Sequence, residues 1–83
     1  MSSEVEVDAL GLLCPLPLLR AEQALRRGES ALVLWSDDPA IVEDLPRWCE
    51  GQGLVLVELA EAAHSSGRRA WRGRIARSRS GRD

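Results

Sequence analysis

The sequence lacks most of the residues from which metal sites and aromatic binding surfaces are built. It has no lysine, tyrosine or phenylalanine, and it has one histidine and two cysteines among 83 residues. Because there is no Cys-x-x-Cys pair and no Cys/His cluster, a structural zinc site is not expected. No apolar run approaches the roughly 20 residues that span a bilayer, so no association with a membrane is expected. The first residues also lack the basic and then apolar order of a signal peptide, which predicts a cytoplasmic protein with free thiols.

Charge is divided unevenly along the chain. Residues 1–66 contain 12 acidic and 4 basic side chains, whereas residues 67–83 contain 7 basic and 1 acidic, and arginine supplies all of these basic residues. The acidic body argues against a nucleic-acid-binding domain, but the basic C-terminal segment leaves that option open. Length and composition predict one domain over residues 1–77 and a disordered Arg/Ser tail over residues 78–83.

Hydrophobic patterning in the first half predicts a strand, a helix and a second strand. Polar and apolar residues alternate over residues 4–9, which predicts a strand with one face in water. Apolar residues at helical spacing then predict a helix that opens at Cys14 and stops at Gly28. The unbroken apolar run of residues 31–35 is typical of a central strand.

The second half adds another helix and two strands. Asp38 is a candidate cap for this helix, and Pro46 inside it predicts either a kink or a restart capped by Asp44. The apolar face of the helix carries Ile41, Leu45, Trp48 and Cys49, and its end is marked by Gly51 and Gly53. Strands are predicted over residues 54–59 and 71–75, with a turn over residues 64–67.

This order of elements predicts an α/β (α+β) fold, a two-layer βαβαββ sandwich. Its four-stranded mixed sheet is expected to carry both helices on one face. The polar residues of the first strand require the opposite face to be open to water.

Cys14 is the candidate reactive residue. It stands where a strand-to-helix turn meets a helix N-terminus, and the free amides and helix dipole there favour a thiolate over a thiol. Pro15 and Pro17 each remove an amide from the first turn and stiffen it, which directs the sulfur outward. The residues alone leave an alternative open, a buried and inert cysteine in a proline-rich turn.

The segment around Cys14 resembles the signature of the TusA/SirA-like sulfur carriers, a Gly-Leu-x-Cys-Pro-x-Pro stretch. Here it reads Asp8-Ala9-Leu10-Gly11-Leu12-Leu13-Cys14-Pro15-Leu16-Pro17-Leu18-Leu19. The resemblance covers about residues 5–77 and continues through Gly28-Glu29, Asp37-Asp38-Pro39 and Asp44-Leu45-Pro46. It implies the same two-layer βαβαββ sandwich that the hydrophobic pattern predicts.

The resemblance implies a carrier that holds sulfane sulfur as a persulfide on Cys14. Members of this family take sulfur from a cysteine desulfurase or a rhodanese-type donor and pass it to a downstream acceptor protein. Their best-known destination is 2-thiouridine in tRNA, and others are molybdenum-cofactor assembly and sulfur oxidation. Such a protein is a sulfurtransferase-type carrier rather than a stand-alone catalyst, and it needs no metal or organic cofactor. A monomer without direct tRNA contact is expected.

The resemblance also gives roles to residues near Cys14. Asp8 is expected to hold the loop before Cys14 by side-chain-to-backbone hydrogen bonds, and Gly11 to form the turn in that loop. Pro15 and Pro17 belong to the same signature and are expected to present the thiol to partner proteins.

Cys49 and His64 are interpreted as structural residues. Cys49 shares the apolar face of the second helix, which predicts a small core residue, and the alternative is a resolving thiol that forms a disulfide with Cys14. His64 lies in a predicted turn, and activation at a helix terminus makes a histidine base unnecessary.

Two functions other than sulfur transfer stay open at this point. One is a regulatory or protein-interaction module that has lost the transfer activity. The other is an RNA-binding domain, which would use the tail together with Arg68, Arg69, Arg72 and Arg74.

Overall fold

The computed structural model describes residues 4–13 and 15–77. Cys14 and residues 78–83 lie outside the described residues, and so do the predictions that Cys14 is exposed and that the tail is disordered. The elements follow the predicted βαβαββ order. They are β1 (Val5–Asp8), α1 (Leu16–Arg26), β2 (Ala31–Ser36), α2 (Ile41–Gln52), β3 (Leu54–Ala63) and β4 (Arg69–Arg77).

The four strands of the described residues form one mixed sheet in the order β1-β2-β4-β3. β1 pairs in parallel with β2, and Asp8 at its end lies opposite Trp35. β4 lies between β2 and β3 and is antiparallel to both. β2 is therefore a central strand, as its unbroken apolar run predicts, and it is buried over nearly its whole length.

Both helices pack on the same face of the sheet, which confirms the predicted two-layer arrangement. The core between the layers contains Leu32 and Leu34 of β2 and Ile75 of β4. The helices add Leu18, Ala21 and Ala24 from α1 and Ile41, Leu45 and Cys49 from α2. Helical periodicity in the sequence therefore identified the buried face of α2 correctly.

Gly73 of β4 allows α2 to approach the sheet closely. It pairs with Leu34 of β2 and Leu59 of β3, and it faces Leu45, which has no exposed surface. A Cβ atom at position 73 would lie 2.5 Å from Leu45 Cδ2, far inside van der Waals contact. The packing of α2 against β4 therefore depends on glycine at this position.

α2 runs through Pro46 as one helix, so the predicted restart capped by Asp44 is wrong. Proline removes one amide, which would otherwise bond to the carbonyl of Val42, and leaves the remaining helical hydrogen bonds in place. Burial of the face that carries Leu45 stabilises the helix enough to tolerate this loss.

The ends of α2 lie close to their predicted positions. Asp38 was predicted to cap α2, but the N-cap residue is Ala40 and the helix has no side-chain cap hydrogen bond. Asp38 Oδ1 instead accepts the backbone N–H of Ala40 at 3.0 Å, in the turn that precedes the helix. Gly53 ends the helix with a φ of 72°, in the left-handed region that favours glycine. Gly51, which was also expected to end it, lies inside the helix.

β3 is longer than predicted and contains an irregularity in its pairing with β4. The register shifts between Leu56 and Glu58, which is typical of a β-bulge. Leu56 and Leu59 consequently both pack against the helix-side core, although strict alternation would place them on opposite faces. Glu58 lies on the other face, where it contacts Arg72.

The face of the sheet opposite the helices carries ion pairs instead of helices in the described part of the chain. Val33 and Trp35 of β2 are buried there. Arg72 lies 3.3 Å from Glu58, and Arg74 lies 2.9 Å from Glu4. The two arginines line a surface depression together with Val33, Trp35, Glu4 and Glu6. The predicted polar face of the sheet is therefore confirmed.

Candidate functional site

The loop over residues 9–13 joins β1 to α1 and leads directly into Cys14. Leu12 donates its backbone N–H to the Ala9 carbonyl at 3.2 Å, and Gly11 between them has a φ of 82°. A positive φ at the third position of such a tight turn favours glycine over residues that carry a Cβ atom. The turn that was predicted at Gly11 is therefore present in the loop between β1 and α1.

Two carboxylates from different strands hold this loop. Asp8 Oδ1, at the end of β1, accepts the backbone N–H of Leu10 at 3.0 Å. Asp37 Oδ1, just after β2, accepts the backbone N–H of Gly11 at 3.0 Å. Adjacent amides of the loop are therefore bound by carboxylates at the same edge of the sheet.

Asp37 was not among the predicted site residues, although the sequence contains a signal for it. β1 and β2 are neighbouring parallel strands joined by α1, and the carboxyl ends of such strands meet at one edge of a sheet. Asp8 and Asp37 follow these two ends, so the topology brings them to the same loop.

Both carboxylates also contact the β3–β4 turn. His64 Nε2 lies 3.4 Å from Asp8 Oδ2, and Arg68 Nη2 donates a hydrogen bond to Asp37 Oδ2. The turn is closed by the Gly67 N–H, which donates to the His64 carbonyl at 2.8 Å. No feature of the sequence indicated that this turn would reach the loop before Cys14.

His64 is held firmly inside the turn and is nearly buried. Its Nδ1 accepts the backbone N–H of Ser66 at 3.0 Å, so in the neutral ring Nε2 carries the proton and faces Asp8. The ring also stands edge-on to Trp35, with 4.9 Å between the centroids. Both nitrogens have protein partners, as a structural histidine requires.

α1 begins immediately after the Cys14–Pro15 pair. The Leu16 N–H donates to the Leu13 carbonyl at 2.8 Å, so a hydrogen bond spans the cysteine position. Pro17 lies in the first turn of α1 and is buried, whereas Pro15 is exposed. Because amides of a first turn have no intrahelical partner, a proline there removes no hydrogen bond of the helix.

Exposed leucines lie on both sides of Cys14 along the chain. Leu13, Leu16 and Leu19 are 70%, 45% and 46% exposed. A protein that docks over this segment would remove their apolar surface from water.

Cys49 lies in the core between α2 and the sheet. Its side chain is 2% exposed, which confirms the predicted burial. Burial raises the pKa of the Cys49 thiol to about 11, so the thiolate is scarce near neutral pH. This environment argues against Cys49 as a resolving thiol.

The arginines considered for RNA binding are engaged with the rest of the protein. They form the ion pairs Arg68–Asp37, Arg69–Glu61, Arg72–Glu58 and Arg74–Glu4. Arg77 donates to the carbonyl of Leu25 in the last turn of α1 at 2.7 Å and to the carbonyl of Glu29, between α1 and β2, at 3.0 Å. β4 therefore neutralises acidic groups of the body rather than offering a free basic surface.

Across residues 4–13 and 15–77, no three His, Cys, Asp or Glu side chains come together as ligands for a metal ion. These two ranges also contain no helix with the length and hydrophobicity needed to cross a bilayer.

Comparison with known proteins assigns the family. Residues 5–72 match the family model for sulfurtransferase TusA, a span that includes the loop before Cys14 and the β3–β4 turn. The chain belongs to the TusA sulfurtransferase family. A crystal structure of a SirA-like protein from Desulfitobacterium hafniense has the same fold, with a TM-score of 0.61 and 26% sequence identity. The similarity covers 89% of this chain and 99% of the SirA-like chain.

Membership of the TusA family gives the protein a role as a sulfur carrier or sulfurtransferase. TusA-family proteins interact with sulfur donors and sulfur acceptors, so the partners of this chain are of the same general kind.

Proposed function

We propose that this TusA-family protein carries sulfane sulfur as a persulfide on Cys14. A cysteine desulfurase or a rhodanese-type protein supplies the sulfur in the cytoplasm, and a downstream acceptor protein receives it. The observation that carries this proposal is the anchored loop before Cys14, where Asp8 and Asp37 bind adjacent amides. Transfer between two proteins requires the reacting group to be presented in a defined geometry, and an anchored loop on the chain segment that leads into Cys14 supports such a role.

The transfer needs a nucleophilic thiolate and leaves the overall redox state unchanged. The Cys14 thiolate attacks the outer sulfur of the donor persulfide, and a new S–S bond forms on Cys14 as the donor S–S bond breaks. The donor cysteine leaves as a thiolate. A thiolate of the acceptor then attacks the outer sulfur on Cys14 in the same way and regenerates the free Cys14 thiolate.

The exposed leucines support a protein that acts in docked complexes. Leu13 and Leu16 flank the Cys14–Pro15 pair, so a donor or acceptor that reaches the sulfur would cover them. We propose 2-thiouridine synthesis in tRNA, or sulfur trafficking more generally, as the destination. Because Arg69, Arg72 and Arg74 of β4 are paired with acidic groups, tRNA would receive the sulfur through the acceptor protein.

Sulfur loading followed by intact-mass measurement tests the assignment of Cys14. After incubation with a cysteine desulfurase and cysteine, we expect one added sulfur, about 32 Da, on the wild-type protein and on Cys49→Ala. We expect none on Cys14→Ser. Cys49→Ala is the matched control because it removes the other thiol of the chain. An added sulfur that survives in Cys14→Ser and is absent from Cys49→Ala would overturn the proposal.

A further inference from the structure

We propose that the β3–β4 turn is part of the carrier site, with Arg68 and His64 as positioning residues for the loop that leads into Cys14. This inference rests on the proposed function, because it gives the loop a role in sulfur transfer. Both residues act through the carboxylates of Asp37 and Asp8 rather than on the sulfur. We call these four side chains the loop clamp.

One half of the loop clamp is the contact between Arg68 and Asp37. Asp37 uses Oδ1 for the Gly11 amide and Oδ2 for the Arg68 guanidinium. Asp37 thereby joins Gly11, which precedes it by 26 positions, to Arg68, which follows it by 31 positions. Since both oxygens have partners, the carboxylate is fixed from two sides and holds the Gly11 amide in one place.

The other half of the loop clamp is the contact between His64 and Asp8. Asp8 uses Oδ1 for the Leu10 amide, and its Oδ2 faces His64 Nε2. The hydrogen bond from Ser66 and the ring of Trp35 fix the orientation of His64. The turn therefore offers Asp8 a partner of fixed position.

The arginines of β4 itself do not reach the loop. Arg69, Arg72 and Arg74 pair with glutamates, and in the described part of the chain none of these glutamates is bonded to residues 9–13. Arg69 is therefore a matched control for Arg68. It is the adjacent residue, and it forms an exposed ion pair with Glu61 at 3.3 Å.

The expected size of the effect follows from the exposure of the Arg68–Asp37 pair. The Arg68 side chain is 58% exposed. Loss of an exposed ion pair changes an equilibrium by up to about fivefold, so Arg68→Ala should increase opening of the loop by about three- to fivefold.

Amide hydrogen exchange measured by NMR tests whether the turn holds the loop. We expect exchange at Gly11 to rise about three- to fivefold in Arg68→Ala, to stay unchanged in Arg69→Ala, and to return toward the wild-type rate in Arg68→Lys. His64→Phe keeps a ring against Trp35 but loses the contact with Asp8, so exchange at Leu10 should rise in that variant.

The kinetics of sulfur loading test whether the clamp matters for transfer. With a cysteine desulfurase, cysteine and increasing carrier concentration, Arg68→Ala should lower the maximal loading rate, by at most about three- to fivefold, because the rate follows the fraction of anchored loop. The half-saturating carrier concentration should not change, because the exposed leucines are untouched. Asp37→Asn keeps an acceptor for Gly11 but loses the ion pair, so it should match Arg68→Ala. The double variant should be no slower than either single variant.

Each outcome has a distinct meaning. Equal exchange at Gly11 in Arg68→Ala and Arg69→Ala would overturn the clamp. Faster exchange with an unchanged loading rate would overturn its role in positioning Cys14. A wild-type protein that takes up no sulfur at all would contradict the proposed function itself, and it is recognised before any variant is compared.

Discussion

Burial of Cys49 makes the free energy of unfolding decrease as the pH rises through the alkaline range. In the folded state the pKa of this thiol rises from 9.0 to about 11, because the core disfavours the charged thiolate. The folded protein therefore holds the thiol proton more tightly than the unfolded chain does. The resulting contribution to stability is fully present below about pH 9 and is lost as the pH rises through about 11.

The magnitude follows from this change in pKa. A rise from 9.0 to about 11 corresponds to about 2–3 kcal/mol of unfolding free energy once the thiol is ionised in both states. The change in unfolding free energy caused by Cys49 is easier to measure in this chain than in most, because it has no lysine or tyrosine side chains that titrate in the same pH range. Arginine remains charged throughout this range.

Urea unfolding followed by tryptophan fluorescence between about pH 8 and pH 11 measures this loss. Wild type and Cys14→Ser should both lose about 2–3 kcal/mol over this range. Cys49→Ala should begin about 1 kcal/mol below wild type, because it leaves a small cavity, and should lack this pH-dependent loss. If Cys49→Ala instead lost stability in parallel with wild type, the burial of Cys49 would not be the cause and this explanation would be refuted.

Two further predictions concern packing around the core and the first turn of α1. Gly73→Ala places a methyl group 2.5 Å from Leu45 Cδ2 and should cost about 1–3 kcal/mol in urea unfolding. Gly51→Ala, at an open position in α2, should stabilise by up to about 1 kcal/mol, and a loss in both variants would contradict the packing argument. Pro17→Ala removes a fully buried ring and should cost about 1 kcal/mol. In that variant we expect iodoacetamide alkylation of Cys14 to change little and sulfur transfer to a protein acceptor to fall, whereas a parallel fall in both rates would show that the proline tunes the sulfur itself.

The order of elements could be predicted because each element buries one periodic set of side chains. The spacing of Ile41, Leu45 and Cys49 identified the buried face of α2, and the apolar run of β2 identified a strand buried on both sides. These patterns are local, so they can be read without knowing which strands pair. They failed where a single residue breaks the alternation of a strand, as at the bulge in β3.

The candidate site was only partly predictable for a different reason. Cys14 is indicated by a local motif, and its role stays a prediction. Arg68 and Asp37 are separated by 31 positions and meet only because β4 inserts between β2 and β3. The need for glycine at position 73 likewise depends on how closely α2 packs. Such contacts follow from strand order and register, which hydrophobic periodicity does not specify.

The central position of β4 has a consequence for the order in which the protein is assembled. β4 is the last element of the described chain to be synthesised, yet β2 needs it as a partner, with Ala31 opposite Ala76 and Ser36 opposite Trp71. Contacts between such distant segments form slowly during folding, and incomplete chains cannot make them. Arg68 and His64 therefore reach the loop before Cys14 only when the β3–β4 hairpin docks. A nascent chain that lacks β4 therefore lacks both of these contacts, and the carboxylates that bind the loop gain their second partners only on completion of the sheet.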